Sequence, residues 1–181
     1  MIRLARPDEA ALLPAIEHDS DQTMRDTPYA YIADMPWVAG DHYRQVVEDG
    51  TTWVATDDQD RPVGFAACGV KADGAIVYQL SVMRHAQKRG LGRALMRAAI
   101  DWARASGYPR LMLTTFADVP FNAPFYRSLG FEAVAQPSPT ASLQHMLAHE
   151  AAMGHDPATR VGMALDLRAT GAKRKPGGPR P

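Results

Sequence analysis

The segment Gln87-Lys88-Arg89-Gly90-Leu91-Gly92 sets two glycines among basic residues, between an apolar strand-like run, Ile76–Met83, and a stretch with helical spacing, Leu91–Ala105. Lacking a Cβ, Gly90 and Gly92 let the backbone turn tightly and come close to a ligand. A helix that starts at such a turn points several amide N–H groups and the positive end of its dipole outward, and a phosphate is the anion best suited to meet them. An ordinary strand-to-helix turn uses the same glycines, so the turn alone leaves both readings open.

Missing residues narrow the kind of phosphate. A nucleotide-hydrolysing P-loop follows its second glycine with Lys and Ser or Thr to reach the terminal phosphates and magnesium, whereas Gly92 is followed by Arg93-Ala94. A dinucleotide fingerprint requires three glycines and an acidic residue about twenty positions further on. Only two glycines are present, and Asp101 falls inside the helix. Lys88, Arg89 and Arg93 around the turn suit a pyrophosphate held without metal. Nucleotide phosphotransfer would also need metal-binding carboxylates near the loop, and the sequence places none there.

A second constellation follows the strand-like run Leu111–Thr115. In the stretch Asn122 to Phe131, Asn122 is a good N-cap, Pro124 suits the first helical turn and Gly130 ends the helix. Asn122 and Tyr126 are four residues apart and share a helix face. Taken in order, Val82-x4-Gln87-x2-Gly90-x-Gly92 and then Asn122-x3-Tyr126-x3-Gly130-Phe131 resemble the GNAT superfamily of acyl-CoA-dependent N-acetyltransferases. Leu129-Gly130-Phe131 matches that family's turn before its next strand.

The resemblance implies an α/β (α+β) fold: a central mixed, mostly antiparallel sheet, splayed where acetyl-CoA wedges in, with flanking helices. It implies coenzyme A contacts from Val82, Met83, Arg84, Gln87, Lys88, Arg89, Gly90, Leu91, Gly92 and Arg93, together with Asn122 and Tyr126. In the family, the amide of the residue matching Val82 hydrogen-bonds the thioester carbonyl. Val82 would then serve through its backbone as an oxyanion donor worth about 2.7–4 kcal/mol in the transition state. Tyr126 is the implied general acid, because the departing thiolate has a thiol-like pKa of about 8.5 and a phenol near 10 stands beside it. Read without the resemblance, a tyrosine beside Phe125 and Leu129 is core, and Asn122 is a simple N-cap.

An acceptor amine needs a base, since at a pKa of about 10 only about one in a thousand is unprotonated at pH 7, an activation problem of about 4 kcal/mol. Family members often carry Glu shortly before the residue matching Val82, but this chain has Gln79, which cannot take a proton. Glu17, His18, Asp19, Asp118 and a water chain are the candidates. His85, in the phosphate loop, suits a coenzyme A contact better. The Gln79 departure also motivates an alternative, a non-catalytic acyl-CoA-binding module.

The elements that must hold these groups follow from periodicity. Ile2–Ala5 reads as a strand, and Asp8 as the cap of a helix from Glu9 to about His18 with Leu12, Leu13 and Ile16 inward. Asp19–Gly40, with Tyr29, Tyr31 and Trp37, reads as an irregular binding loop that shapes the acceptor pocket with Thr114, Thr115 and Phe116. Asp41–Asp49 is expected to be helical, and Thr51–Thr56, Val63–Val70 and Ala75–Met83 to form an antiparallel meander. Leu91, Ala94, Leu95, Ala98 and Trp102 give the next helix its core stripe. Leu111–Thr115 and Phe131–Ala135 read as strands. Pro137-Ser-Pro139 opens a helix over Ser142–Ala152, and Arg160–Leu167 is the last strand.

Composition sets the bounds. With 181 residues, 46% of them hydrophobic, the chain suits one domain over residues 1–170, followed by a disordered basic Gly/Pro tail over 171–181. Twenty basic residues balance twenty acidic ones, so nothing steers it toward nucleic acid or membrane. The single cysteine, Cys68, excludes an internal disulfide and reads as a small buried residue rather than a nucleophile. No stretch approaches about eighteen apolar residues, and the N-terminus has no apolar h-region, which implies a cytoplasmic protein. The expected reaction moves acetyl from acetyl-CoA, without metal, to an amine of a small molecule or peptide, in a monomer or homodimer.

Overall fold

A computed structural model of the chain describes residues 1–135 and 140–168. Its strands are β1 (Ile2–Leu4), β2 (Thr52–Thr56), β3 (Pro62–Lys71), β4 (Gly74–Val82), β5 (Arg110–Phe116), β6 (Glu132–Ala133) and β7 (Arg160–Asp166). They form one mixed sheet in the order β1-β2-β3-β4-β5-β7-β6, in which only β4 and β5 run parallel. The helices are α1 (Leu13–Asp21), α2 (Arg44–Glu48), α3 (Leu91–Ala105), α4 (Ala123–Arg127) and α5 (Ala141–Ala152).

Both faces of the sheet are covered, which is why β3 and β4 read as nearly continuous apolar runs. On one face Trp53, Ala66, Cys68 and Val77 pack with Leu95, Met96 and Ala99 of α3. On the other, Val54, Phe65 and Ala67 meet Leu13 and Ile16 of α1. Further along the second face, Leu143 of α5 covers Ile76 and Met112.

The feature that makes a site is a break in the sheet. β4 and β5 pair only at Ala75↔Leu111 and Ile76↔Met112. Just beyond, Cys68 faces Val77 while Ala67 faces Gln79, so Tyr78 is the extra residue of a bulge. A bulge bends its strand and sharpens the twist. Tyr78 lies over Gly69, where a Cβ would come within 2.4 Å of its ring. β4 then follows β3 as far as Val82, β5 follows β7 as far as Phe116, and a cleft opens between them.

Several local expectations are corrected. Residues 7–12 form a 3₁₀ turn, and α1 starts later and runs on to Asp21. Asp8 does not cap it. Glu9, one residue on, accepts the Arg6 backbone N–H at 2.7 Å and both terminal guanidinium nitrogens of Arg3 at 2.9 and 2.7 Å. Leu12 is exposed, while Leu13 and Ile16 are buried. Residues 19–40 are less irregular than expected, with 3₁₀ turns at 22–26 and 30–34. The fully buried stripe of α3 is Leu95, Met96, Ala99, Ile100 and Ala103. Leu91, Ala98 and Trp102 are only partly covered, because the sheet meets a face turned from the one the spacing suggested. The helix expected at 41–49 contracts to α2 and the strand at 131–135 to β6. Pro137-Ser-Pro139, the domain limit at 170 and the tail 171–181 lie outside the described residues.

Candidate active site

The cleft between β4 and β5 widens into a cavity of about 730 Å³, lined by the glycine turn, the start of α3, residues of α1 and residues 35–38. At the glycine turn the local sequence leaves a concave set of backbone amides without helical acceptors. The first intrahelical bond of α3 runs from the Ala94 N–H to the Gly90 carbonyl at 3.0 Å. The amides of Leu91, Gly92 and Arg93 precede that ladder and have no helical acceptor. Gly90 at φ +79° and Lys88 at φ +59° are left-handed, folding the chain into a concave run of amides. Gly92 is helical instead. A Cβ there would lie 3.8 Å from Phe125 and 4.0 Å from Val82, so the position faces the cleft without a clash.

Ladder geometry orients Val82. The Met83 N–H donates to the Val63 carbonyl at 2.8 Å, which makes Val63 and Met83 a hydrogen-bonded pair of the β3–β4 ladder. Opposed pairs alternate, so the neighbouring Gly64–Val82 pair is the non-bonded kind, and the Val82 N–H and C=O turn away from β3 into the cleft. The Gln87 side-chain amide donates to that carbonyl at 2.9 Å and to the Thr23 hydroxyl at 3.1 Å. The Val82 N–H is left facing the cavity. Gly64 permits the close approach, since a Cβ there would sit 2.9 Å from the Ser81 carbonyl.

Asn122 and Tyr126 line the same cavity. The backbone of Asn122 begins α4, but its side chain makes no capping bond and stays available to the cleft. The Tyr126 ring is held edge-on by Phe125 and Phe131, at centroid distances of 5.1 and 5.9 Å. Burial pushes its phenol well above the ordinary value, opposed in part by the Arg160 charge, so it is protonated at neutral pH.

The other residues expected at the cofactor divide. Lys88, Leu91 and Arg93 line the cavity, while the Arg93 guanidinium is committed to the Ser128 hydroxyl at 2.8 Å. Met83, Arg84, Arg89 and His85 are not among the lining residues. Met83 packs under α1, and Arg84 is tied to Asp19 through its backbone N–H at 2.7 Å and its guanidinium at 3.0 Å. Gln87 lines the cavity too, and its amide braces the Val82 carbonyl.

Glu17, His18 and Asp21 of α1 line the same cavity with Trp37, which stacks on His18 at 4.3 Å. Glu17 accepts the Tyr43 hydroxyl at 2.8 Å; burial raises its pKa and that bond partly offsets the rise. Burial first, and the Glu17 charge second, push Asp21 up to about 7. Asp21 was not among the expected bases. Its signal was there, four residues after Glu17 on one helix face, but the helix was expected to stop at His18. Of the candidates named from sequence, Asp19 is held by Arg84 below the usual carboxylate range despite its burial. Asp118 accepts the Tyr29 hydroxyl at 2.8 and 2.9 Å and does not line the cavity. Gln79 donates to the Ser81 hydroxyl at 3.0 Å.

Thr114, Thr115 and Phe116 form the β5 wall. Beside them Arg160 is neutralised by Glu150 at 2.8 and 2.9 Å and lies over Phe116, 4.3 Å from its ring centroid. Cys68 is buried and burial pushes its thiol far up, which leaves no thiolate for nucleophilic work. Among the described residues no group of three or more His, Cys, Asp or Glu is placed to hold a metal, and no helix is long and apolar enough to cross a membrane.

Residues 15–131 match the Acetyltransferase (GNAT) family. A mycothiol acetyltransferase of Renibacterium salmoninarum is 36% identical over 85 residues, covering 43% of this chain and 25% of that protein. The match thus spans about a quarter of that curated relative. N-acetylglutamate synthase from Neisseria gonorrhoeae, solved with coenzyme A and N-acetyl-glutamate, is similar over 92% of this chain and 35% of its own, with a TM-score of 0.68 and 16% identity. The ribosomal-protein-S18-alanine N-acetyltransferase of Escherichia coli is similar over 98% of this chain and 99% of its own, with a TM-score of 0.63 and 21% identity. At these identities the structural likeness establishes the fold alone.

Proposed function

The chain belongs to the acetyltransferase (GNAT) family, and from that premise we propose that it transfers acetyl from acetyl-CoA directly to an amine of a small molecule or peptide. The observation that carries the reading is the splayed sheet, with Leu91, Gly92 and Arg93 at the start of α3, Val82 of β4 and Tyr126 of α4 all lining one cavity. The free amides of Leu91, Gly92 and Arg93 would bind the pyrophosphate of acetyl-CoA, with Lys88 adding charge at the rim. The pantetheine arm would follow the exposed edge of β4, beside Asn122.

In the reaction the amine lone pair attacks the thioester carbonyl carbon and the carbonyl electrons move onto oxygen, where the Val82 N–H meets them. A fixed donor of this kind contributes about 2.7–4 kcal/mol to transition-state stabilisation. Collapse breaks the carbon–sulfur bond, the thiolate takes the Tyr126 proton, and the nitrogen loses its excess proton to solvent in the cavity, which returns one to the Tyr126 phenolate. From a phenol to a thiolate that transfer is uphill by about 1.5 pKa units in water, or about 2 kcal/mol. Desolvation in the shared cavity raises the thiolate as well as the phenol, so the mismatch does not grow with burial of both. No acyl-enzyme is required, consistent with the buried Cys68. A lone buried cysteine also fits a cytoplasmic setting.

Thiol release from acetyl-CoA, measured against a panel of amines, tests the proposal. Amine-dependent release with formation of the amide supports it. Tight acetyl-CoA binding with no turnover on any amine would instead favour a non-catalytic acyl-CoA-binding module.

A further inference from the structure

Two carboxylates line the same cavity, one helical turn apart on the same face of α1. Glu17 has the Tyr43 hydroxyl as donor, which favours its charged form. No described residue donates to the Asp21 side chain. Asp21 is also the last residue of α1, where the negative end of the helix dipole opposes a second negative charge. A half-buried carboxyl without a donor, facing a cavity, is completed by a ligand that brings both a proton donor and a positive charge. An ammonium group is that ligand.

We propose that Asp21, backed by Glu17, receives the ammonium group of the acceptor and takes its proton before the nitrogen attacks the thioester. This rests on the acetyl-transfer reading above and supplies the base that Gln79 cannot be. The N–H bond breaks, its electron pair remains on nitrogen as the attacking lone pair, and the proton goes to an Asp21 carboxylate oxygen and later to solvent. The charge pattern also selects the acceptor class. A cationic amine with an apolar or aromatic body fits between the carboxylate pair and the stacked His18 and Trp37, whereas an acceptor with its own carboxylate beside that pair is repelled.

His18 is stacked on Trp37, and His42 and Tyr43 act on Glu17. Tyr78, Lys88, Arg93, His155 and Arg160 also line the cavity, with Arg93 held by Ser128 and Arg160 by Glu150. Burial and the Glu17 charge push Asp21 up to about 7, so near neutrality it is ionised often enough, and basic enough, to work as a base.

The test is the pH dependence of kcat/KM with an accepted amine, for the parent, Asp21→Asn and Glu17→Gln in the full chain, with acetyl-CoA affinity measured by calorimetry. The parent should show an ascending limb near pH 7. Asp21→Asn should lose activity about 10²- to 10⁴-fold at pH 7. Its limb should be replaced by a steady rise toward the pKa of the amine, with acetyl-CoA affinity unchanged. Glu17→Gln should move the limb to lower pH, because a neighbouring negative charge is gone. Folding is checked separately. A carboxyl whose folded pKa is raised loses stability as pH climbs from about 4 to 7, so Asp21→Asn should melt no lower than the parent at pH 8. If Asp21→Asn keeps the parent's rate and profile, or loses acetyl-CoA binding in step with activity, the assignment is overturned while acetyl transfer stands. If the parent acetylates no amine, acetyl transfer itself fails and the assignment with it.

Discussion

Gly92→Val separates the anion cradle from the fold. A Cβ at this position meets Phe125 at 3.8 Å and Val82 at 4.0 Å, ordinary contacts that require no backbone shift. Valine is also a better helix former than glycine by about 0.3–0.5 kcal/mol, so the melting temperature should hold or rise slightly. The added methyls, however, enter the cleft in front of the amides of Leu91, Gly92 and Arg93. A hydrogen bond to a charged partner contributes about 1.5–3 kcal/mol, and losing two of them costs about 3–6 kcal/mol. That corresponds to about 10²- to 10⁴-fold weaker binding. Titration calorimetry with acetyl-CoA and with coenzyme A, on a variant whose melting curve matches the parent, reads this directly. An unchanged Kd in a normally folded Gly92→Val protein would refute the cradle. Gly90 is the poorer probe, because at φ +79° any side chain also strains the backbone.

Tyr126→Phe keeps the ring contacts with Phe125 and Phe131 and removes the proton donor, so kcat should fall about 10- to 10⁴-fold with acetyl-CoA affinity little changed. Steady-state kinetics under conditions where chemistry limits the rate would check it, and an unchanged kcat would return Tyr126 to the core. Gly64→Ala should push on the Ser81 carbonyl, 2.9 Å from the new Cβ, and displace Val82, at a cost of about 1–3 kcal/mol in stability. Its signature is a fall in kcat larger than the rise in acetyl-CoA Kd, measured side by side. Glu9 is buried and bound by Arg3 and the Arg6 backbone, with the Arg3 bond the largest cause of its lowered pKa. A depressed carboxyl stabilises above its unfolded pKa and loses that contribution as pH falls through the folded one, so the parent's melting temperature should drop below about pH 4. Glu9→Gln should cost about 2–3 kcal/mol at pH 7 and flatten that drop, which thermal melts across pH would show.

The glycine turn and the helix that follows it were legible because both depend on short-range chemistry, whereas the splay of the sheet was implied only by the family resemblance. Gly90, Gly92 and the start of α3 lie within a few residues of one another, and Asn122 and Tyr126 are one helical turn apart. The meander of β2, β3 and β4 was readable from its turns. What sequence could not supply were the long-range partners. Arg84 looks free until Asp19 arrives from α1, 65 residues away in sequence. The bonds of the Gln87 amide to Val82 and Thr23 are likewise invisible in the sequence. Asp21 was hidden for a different reason. The polar run at the end of α1 carries little apolar periodicity, so the spacing alone ends the helix near His18 and leaves the carboxylate of Asp21 in a loop. The rotation of the α3 stripe has the same origin, since two helix faces carry apolar residues and only the sheet decides which is inside.

Intact-mass spectrometry of the protein and of the amine pool, after incubation with acetyl-CoA, tests direct transfer most directly. The prediction is an N-acetylated amine formed in step with free thiol, while the protein's mass stays unchanged both with and without the acceptor. A protein that gains an acetyl group and passes it on would contradict direct attack, and one that binds acetyl-CoA yet acetylates no amine would contradict transfer altogether.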